Sequence, residues 1–226
     1  PGSSFINEST PHGALAVRYL AALRGGDEPA AIEIILGAIR EETLTAGEVT
    51  HLVLVPSLRE IGREWHLNRL TIAEEHFATS VTQKLLARTL GQTPNCEPNG
   101  KSVLLTAAAG DSHGFGIQII AAEFELDGWR TICLGTDMPP EELADMAALH
   151  DVDLVGIGAT LDTQRQSVQA CIGALRSARP ELKIIVGGQA FLDLDDTWRR
   201  CGADEFAPTA RAAVEKGRKL VGLNAS

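Results

Sequence analysis

Two patterns of apolar residues divide the chain, and they meet at the Gly-, Pro- and Asn-rich stretch GQTPNCEPNGK, residues 91–101. Before this stretch, apolar residues recur at the three- and four-residue spacing that is typical of amphipathic helices. After it, short apolar runs of strand length alternate with amphipathic segments. The change of period predicts a helical domain over residues 11–91 and an α/β domain over residues 100–223.

Helix start signals predict four helices in the first domain. HGALAVRYLAALRGG is expected to form the first helix, and Asp27 has the position of an N-cap for the second. Thr45 and Glu48 have the spacing of a capping box that opens the third helix. Thr71 and Glu74 have the same spacing ahead of the fourth. The short connections between these segments predict an antiparallel four-helix bundle.

Five apolar runs predict the strands of the second domain, namely SVLLTAA, RTICLG, LVGIGA, KIIVGG and EFA. A helical segment follows each run, so the domain consists of consecutive βα units. This order predicts a five-stranded parallel sheet covered on both faces, a Rossmann-like fold of the doubly wound, flavodoxin-like kind. Ligands of such sheets bind beyond the carboxyl ends of the strands, usually beside the first strand.

Composition narrows the class of protein. Hydrophobic residues make up 44% of the 226 residues, which is enough for a packed core. The net charge is -10 and Lys and Arg form no long cluster, so we do not expect this chain to bind nucleic acid directly. The apolar runs are shorter than the roughly 20 residues of a membrane span, and the chain starts without a signal-peptide pattern. We therefore expect a cytoplasmic protein without membrane contact.

The stretch GDSHGFG follows the first predicted strand at its carboxyl end. A histidine that binds a metal through one ring nitrogen generally donates its other N–H to a carboxylate, and Asp111 lies two residues before His113. Gly114 and Gly116 allow a large planar ligand to approach the backbone where a Cβ would collide. A helix that begins near Phe115 would add the positive end of its dipole. The alternative is a solvated loop histidine, and the position after the first strand favours the ligand.

Glycine-containing turns also follow the third and fourth predicted strands, in GIGAT and VGGQ. They could be ordinary glycines of βα turns. If the strand assignment is right, they line the same crevice as the loop after the first strand. Together they would leave a deep slot between the sheet and its helices, able to take an extended ligand tail.

These residues resemble the signature of the cobalamin-binding Rossmann-like domain of methionine synthase, corrinoid methyl carriers and cobalamin-dependent mutases. That signature reads D-x-H-x-x-G, then S-x-L, then G-G. Asp111, His113 and Gly116 match its first element, and Gly187 with Gly188 matches its third. The resemblance implies that His113 is the lower axial ligand of cobalt and that the nucleotide tail of the cofactor enters the sheet.

The middle element of the signature departs from the family, since Gly158 replaces its serine and Thr160 its leucine. In the family this serine hydrogen-bonds the displaced dimethylbenzimidazole base, so that contact is in doubt at Gly158. The resemblance implies cofactor contacts from Asp111, Ser112, His113, Gly114, Phe115, Gly116, Gly158, Thr160, Gly187 and Gly188.

The first domain contains a second pattern, in which nine residues separate Trp65 from the pair Glu75 and His76. The capping box at Thr71 places Trp65 at the end of one helix and the pair about a turn into the next. On its own this indicates a core tryptophan with a solvated Glu-His pair. Beside a cobalamin domain it resembles the W-x9-E-H signature of the cobalamin-dependent photoreceptors of the CarH and LitR family. Their helical bundle caps the upper face of the corrin.

This second resemblance covers the chain from about residue 15 onward and implies roles for the upper pocket. Trp65 would pack against an adenosyl group, Ile72 would line its pocket, and Glu75 and His76 would contact its ribose and adenine. His66 matches the histidine that takes the upper cobalt site after light expels the adenosyl group. The alternative is that His66 is a surface histidine at a helix end.

Three hypotheses follow. The first is a light sensor rather than an enzyme, in which photolysis of adenosylcobalamin changes conformation, homo-oligomeric state or binding of a transcription-factor partner. The family's MerR-type DNA-binding domain is not matched here, so it was either removed or replaced by such a partner.

The second hypothesis is a corrinoid methyl carrier of a methyltransferase system, with methylcobalamin or hydroxocobalamin instead of adenosylcobalamin. The W-x9-E-H pattern favours the sensor, because a carrier needs no pocket for adenosine. The third is a flavodoxin-like response module without a corrinoid. It is disfavoured because no acidic cluster follows the first strand.

Overall fold

The computed structural model describes residues 4–41, 43–90, 97–111, 114–192 and 196–223. The chain divides into two compact units, Pro1–Pro94 and Asn95–Ser226. Among the helices of the described ranges, none is both long enough and apolar enough to cross a membrane.

The first unit consists of helices around one apolar core. Its helices are α1 (Pro11–Arg24), α2 (Glu28–Arg40), α3 (Ala46–Val49), α4 (Val55–His66) and α5 (Ile72–Leu90), with a π-helical turn at Thr50–Leu54 between α3 and α4. Tyr19, Ile35, Leu54 and Leu85 are fully buried among them. Because α3, the π-helical turn and α4 follow one another without a break, they correspond to one predicted helix. The expected set of four helical segments is therefore confirmed.

The third helical segment begins with the predicted capping box and contains a π-helical turn in its middle. The Glu48 N–H donates to the Thr45 hydroxyl at 3.2 Å, and the Thr45 N–H donates to the Glu48 carboxylate at 2.8 Å. Beyond this capping box, the backbone passes through the π-helical turn before α4. Pro56 accounts for that turn, because it has no N–H for the carbonyl four residues earlier and its ring would collide with that carbonyl in a regular helix.

The second unit is a parallel sheet between two layers of helices. Its strands are β1 (Ser102–Ala108), β2 (Arg130–Met138), β3 (Leu154–Gly158), β4 (Lys183–Gly187) and β5 (Glu205–Ala207). The helices that connect or follow them are α6 (Phe115–Leu126), α7 (Pro140–Leu149), α8 (Arg165–Ala178), α9 (Thr197–Arg200) and α10 (Ala210–Leu220). The strand order is β2-β1-β3-β4-β5, and neighbouring strands are parallel. The doubly wound, flavodoxin-like topology is confirmed.

Strand β1 lies between β2 and β3 in the sheet, and all seven of its residues are buried. Leu104 packs into the core on one face of the sheet, whereas Val103 and Leu105 pack into the core on the other. This alternation follows from the two-residue repeat of a strand. At the carboxyl end of β1, the loops after β1 and β3 begin at the same edge of the sheet, because the two strands are parallel neighbours. The strand order reverses there, between β1 and β3.

Candidate functional site

The loop after β1 is connected to the loop after β3 by a buried carboxylate. Asp111 is only 1% exposed, and its Oδ2 accepts a hydrogen bond from the Thr160 backbone N–H at 2.8 Å. Thr160 lies two residues beyond the end of β3. Ser112 and His113 lie outside the described residues, so the predicted pairing of Asp111 with His113 stays a prediction. The structure does bring Asp111 and Thr160 together at the predicted edge of the sheet.

Gln164 makes a second connection between the same two loops. Its Nε2 donates to the Gly110 carbonyl at 3.1 Å, and its Oε1 accepts the N–H groups of Thr160 at 2.9 Å and Leu161 at 2.8 Å. The side chain is buried, so these bonds compensate for its removal from water. Sequence reasoning missed Gln164, because a glutamine just before an amphipathic helix has no local signal that separates it from a surface residue.

Glycines after β3 and β4 meet different steric requirements. Gly188 has a φ of +98°, and a Cβ there would collide with the carbonyl oxygen of Ala159. A Cβ on Gly187 would lie 2.9 Å from the Ala207 carbonyl oxygen. At Gly158, the described neighbour closest to a Cβ would be Ile117 Cδ1, at an ordinary 3.6 Å. The backbone therefore requires glycine at 187 and 188, whereas the described surroundings of Gly158 would accept the family's serine.

An apolar slot lies between the sheet and helices α6 and α10. Its lining includes Leu105, Ile117, Gly156, Gly158, Gly187 and Thr209. The slot depends on glycine at 156, because a Cβ there would lie 2.5 Å from Leu105 Cδ2. The cavity measures about 20 Å³, which is smaller than a nucleotide. A glycine-lined apolar slot at this position fits the tail of a cobalamin in its chemistry.

The first turn of α6 has the glycine pattern expected for a planar ligand. The helix begins at Phe115, as predicted. A Cβ on Gly114 would lie 2.9 Å from Thr136 Cγ2, so this glycine allows close packing within the unit. A Cβ on Gly116 would meet no described atom within 4 Å. Packing among the described residues does not explain glycine at 116, and its contact with the corrin stays a prediction.

The residues predicted for the upper pocket lie at the corner between α4 and α5 of the first unit. Trp65, His66 and Ile72 line one open pocket of about 640 Å³. Trp65 is 40% exposed and Ile72 is 60% exposed, although both are large and apolar. The centres of the Trp65 and His66 rings are 5.0 Å apart. An open pocket of this size lies within the range of small-molecule sites.

Glu75 and His76 lie beside this pocket rather than among its lining residues in the described chain. The Thr79 hydroxyl donates to Glu75 Oε1 at 2.8 Å, and Glu75 Oε2 is 3.5 Å from His76 Nε2. His76 is mostly exposed. The structure therefore groups Trp65 with His66 and Ile72, and it groups Glu75 with His76. The cofactor contacts assigned to all five residues stay predictions.

Known proteins with related sequences match both units. A family model described as B12 binding domain matches residues 101–216, and a second model with the same description matches residues 15–89. A corrinoid protein of Desulfitobacterium hafniense is 27% identical over 208 residues, which cover 89% of this chain and 94% of the relative. A dimethylamine corrinoid protein of Methanosarcina barkeri is 24% identical over 186 residues, covering 79% and 84%. The HTH-type transcriptional repressor CarH of Myxococcus xanthus is 26% identical over 175 residues, covering 76% and 56%.

A solved structure gives the same fold. The monomethylamine corrinoid protein of Methanosarcina barkeri superposes with a TM-score of 0.77 at 18% identity, over 92% of this chain and 98% of that protein. It supports the fold of helices followed by a parallel sheet. The matches to both family models confirm the expected cofactor class. The chain belongs to the B12 binding domain family, and its ligand is a corrinoid, cobalamin or a close relative of it.

Proposed function

We propose that this chain is the corrinoid carrier of a methyl-transfer system and that its protein partner is a methyltransferase. The observation that carries the proposal is the extent of the sequence match. The two relatives named corrinoid proteins match 89% and 79% of this chain, and CarH matches 76%. The partner would catalyse the transfer, and this chain would carry the group. The proposal reverses the preference that the W-x9-E-H pattern alone suggested.

On the lower side of the cofactor, the residues would act by holding the cobalt in place. When bound, the cofactor supplies a cobalt atom that can carry a methyl group from a donor to an acceptor. His113 would bind this cobalt, and Asp111 would accept the other N–H of its imidazole. The bonds to Asp111 and Gln164 hold the two loops together. The slot beside Gly158 would take the nucleotide tail.

On the upper side, the open pocket would let partners reach the carried group. Trp65 and Ile72 leave apolar surface exposed at the α4–α5 corner. Exposed apolar surface of this kind marks places where a ligand or a partner packs. A carrier must exchange its group with another protein, and an accessible upper pocket suits that exchange.

The second candidate function is a cobalamin-dependent light sensor. It is favoured by one observation, namely that Trp65, His66 and Ile72 share a single pocket. In this case Trp65 would pack on an adenosyl group, with Glu75 and His76 near its sugar and base. His66 would take the upper cobalt site after illumination. The signal would pass through a transcription-factor partner or a change of homo-oligomeric state.

Loading the full chain with each cofactor form in darkness separates the two functions. A carrier should retain methylcobalamin in preference to adenosylcobalamin and transfer its methyl group to a thiol when a matching methyltransferase is added. A sensor should retain adenosylcobalamin, and illumination should change both its absorption spectrum and its elution volume. Retention of adenosylcobalamin together with a light-induced change in elution volume would contradict the carrier.

Three histidine variants assign the axial positions. We expect His113→Ala to alter the dark spectrum under both functions, since it removes the lower ligand. His66→Ala should alter the illuminated spectrum under the sensor and leave both spectra unchanged under the carrier. His150→Ala, at the end of α7, is the matched control and should change neither spectrum. A dark spectrum that does not respond to His113→Ala would exclude this histidine as the lower ligand.

A further inference from the structure

The end of β2 contacts both ends of the loop that contains the predicted cobalt ligand. Asp137 Oδ1 accepts the Gly110 N–H at 2.7 Å. At the other end of the loop, Thr136 Cγ2 would be 2.9 Å from a Cβ on Gly114. These contacts flank Asp111 in the sequence. Neither Thr136 nor Asp137 belongs to a motif that pointed to the cofactor.

Asp137 makes its contact from an unfavourable backbone conformation. Its φ is +57°, in the left-handed region. This region is unfavourable for a residue other than glycine, and aspartate tolerates it better than most because its short side chain can bond to nearby backbone. The pairing of β1 with β2 is also irregular here, with register shifts on both sides of Thr106. The chain thus maintains a strained residue at the point where its carboxylate reaches Gly110.

Strain of this kind persists where the surrounding structure over-determines it, and it concentrates at functional sites. The Asp137 side chain is exposed, so its charge is screened and its hydrogen bond is the feature that acts on the loop. Asp137 holds Gly110 from the β2 side, and Gln164 holds the same residue from the β3 side. Gly110 directly precedes Asp111, so the position of Gly110 constrains the backbone of Asp111 and the place of its buried carboxylate.

We propose that Asp137 is a positioning residue for the cofactor. By holding Gly110, it fixes the residue that directly precedes Asp111, the buried carboxylate predicted to orient the His113 imidazole. The inference rests on the proposed role of His113 and adds a residue outside the family signature. Outer partners of a metal-binding histidine typically account for a 10–100-fold difference in metal affinity, and we expect a loss of about this size when the Asp137 carboxylate is removed.

Two substitutions at Asp137 and one matched control test this role in the full chain. Asp137→Gly removes the carboxylate and also relieves the strain, because glycine adopts a positive φ readily. Asp137→Asn keeps a side-chain oxygen that can accept the Gly110 N–H and should rescue the function. Asp151→Gly is the control, since Asp151 has a φ of +45° in the same unit but pairs with Arg179 at 3.0 Å.

The measurements are the affinity for hydroxocobalamin, the nitrogen splitting in the electron paramagnetic resonance spectrum of the protein loaded with cob(II)inamide, which has no base of its own to bind cobalt, and thermal unfolding. For Asp137→Gly we expect a loss of roughly 10–100-fold in affinity and weaker nitrogen splitting, at an unfolding temperature no lower than that of the wild type. Asp137→Asn and Asp151→Gly should match the wild type in affinity and splitting.

Wild-type affinity and splitting in Asp137→Gly would overturn the inference while leaving His113 as the ligand. Equal losses in Asp151→Gly would also overturn it, because they would show a general effect of the substitution. A wild-type protein that binds cob(II)inamide without nitrogen splitting would contradict the role of His113 itself, and this inference would fail with it.

Discussion

The loop after β1 in the second unit is held from two sides, whereas the corner between α4 and α5 in the first unit is open. On the sheet, buried Asp111 accepts a bond from Thr160 in the loop after β3, and buried Gln164 of that loop bonds to Gly110. Asp137 adds a bond to Gly110 from the edge strand. At the helical corner, Trp65 and Ile72 expose much of their apolar surface. A metal ligand needs a fixed geometry, whereas a group that is exchanged or expelled needs access. The two regions therefore differ in the way that the proposed function requires.

Two tryptophans provide the largest test of this contrast. Trp129 of the second unit is only 4% exposed and packs edge to face on Phe124, with ring centres 5.0 Å apart. We expect Trp129→Ala to lower the free energy of unfolding by about 3–5 kcal/mol, because it leaves a cavity in the core. Trp65→Ala should cost roughly 1 kcal/mol, since much of its surface is already in water. Urea denaturation followed by circular dichroism measures both.

Equal losses for Trp65→Ala and Trp129→Ala would show that the α4–α5 corner is packed as tightly as the sheet core. Trp65→Ala should nevertheless change how long the loaded protein retains its upper ligand. Trp198, whose ring is covered by the Arg199 guanidinium at 4.7 Å, offers a control tryptophan outside the upper pocket. Trp198→Ala should leave the retention time unchanged.

Gly188→Ala is the next largest expected effect. The new Cβ would collide with the Ala159 carbonyl, and the positive φ of Gly188 disfavours alanine as well. We expect a loss of about 3 kcal/mol in the free energy of unfolding, measured by urea denaturation. Gly100→Ala is the matched control, because Gly100 has a φ of +77° and no described atom within 4 Å of a Cβ. Its cost should be only about 1–2 kcal/mol, from the backbone alone.

Acid should weaken the first unit through Glu60. The Arg63 guanidinium donates to the Glu60 carboxylate, and with the Phe5 N–H it lowers the pKa of Glu60 below its ordinary 4.5, although burial opposes the shift. Because the folded-state pKa lies below the unfolded one, the stabilisation is complete above about pH 4.5 and is lost as the pH falls through the folded value. Glu60→Gln should reduce stability at neutral pH and flatten this decline, as thermal unfolding across the acid range would show.

Asp153 is the counterpart of Glu60 in the second unit. Burial raises its pKa, but Lys101 and the Ser102 backbone and hydroxyl groups outweigh burial and hold the pKa below its ordinary value. Asp153→Asn should therefore flatten the acid response of the sheet and leave that of the helical unit unchanged. An identical acid profile for Glu60→Gln and the wild type would contradict the assignment to Glu60.

Gly158→Ser should have the smallest effect on stability and a specific effect on binding. The described surroundings accept a Cβ, so the free energy of unfolding should change by no more than about 0.5 kcal/mol. A hydroxyl beside the slot should tighten cobalamin binding by about 3–10-fold through one hydrogen bond to the nucleotide base. Cobinamide, which lacks that base, should bind as before. An equal gain for cobinamide would show that the hydroxyl does not contact the tail.

Locally encoded features of the fold were predictable from the sequence. The strand runs match the observed strands closely, and β1 agrees residue for residue. The Thr45–Glu48 capping box was recognisable because its hydrogen bonds join residues three positions apart. The loop after β1 was also recognisable, because a strand order of this type places the binding edge beside the first strand.

Contacts between distant residues were not predictable in the same way. Gln164 bonds to a carbonyl 54 positions earlier, and Asp137 to an N–H 27 positions earlier. No spacing pattern brings such pairs together before the strand order is known. The W-x9-E-H pattern favoured a light sensor, but it includes only three residues at the α4–α5 corner of the first unit. The relatives matched along most of the chain favour the methyl carrier instead.

The sequence by itself determined the two-part organisation and the parallel sheet, because apolar periodicity and capping spacing lie in neighbouring residues. The cofactor class followed from the resemblance of a few residues to the signature of a known family. Only the tertiary structure decided which residues hold the loop after β1 and which apolar side chains stay exposed. Both depend on where distant strands and helices meet, and side-chain hydrogen bonds and burial exist only once those elements have packed.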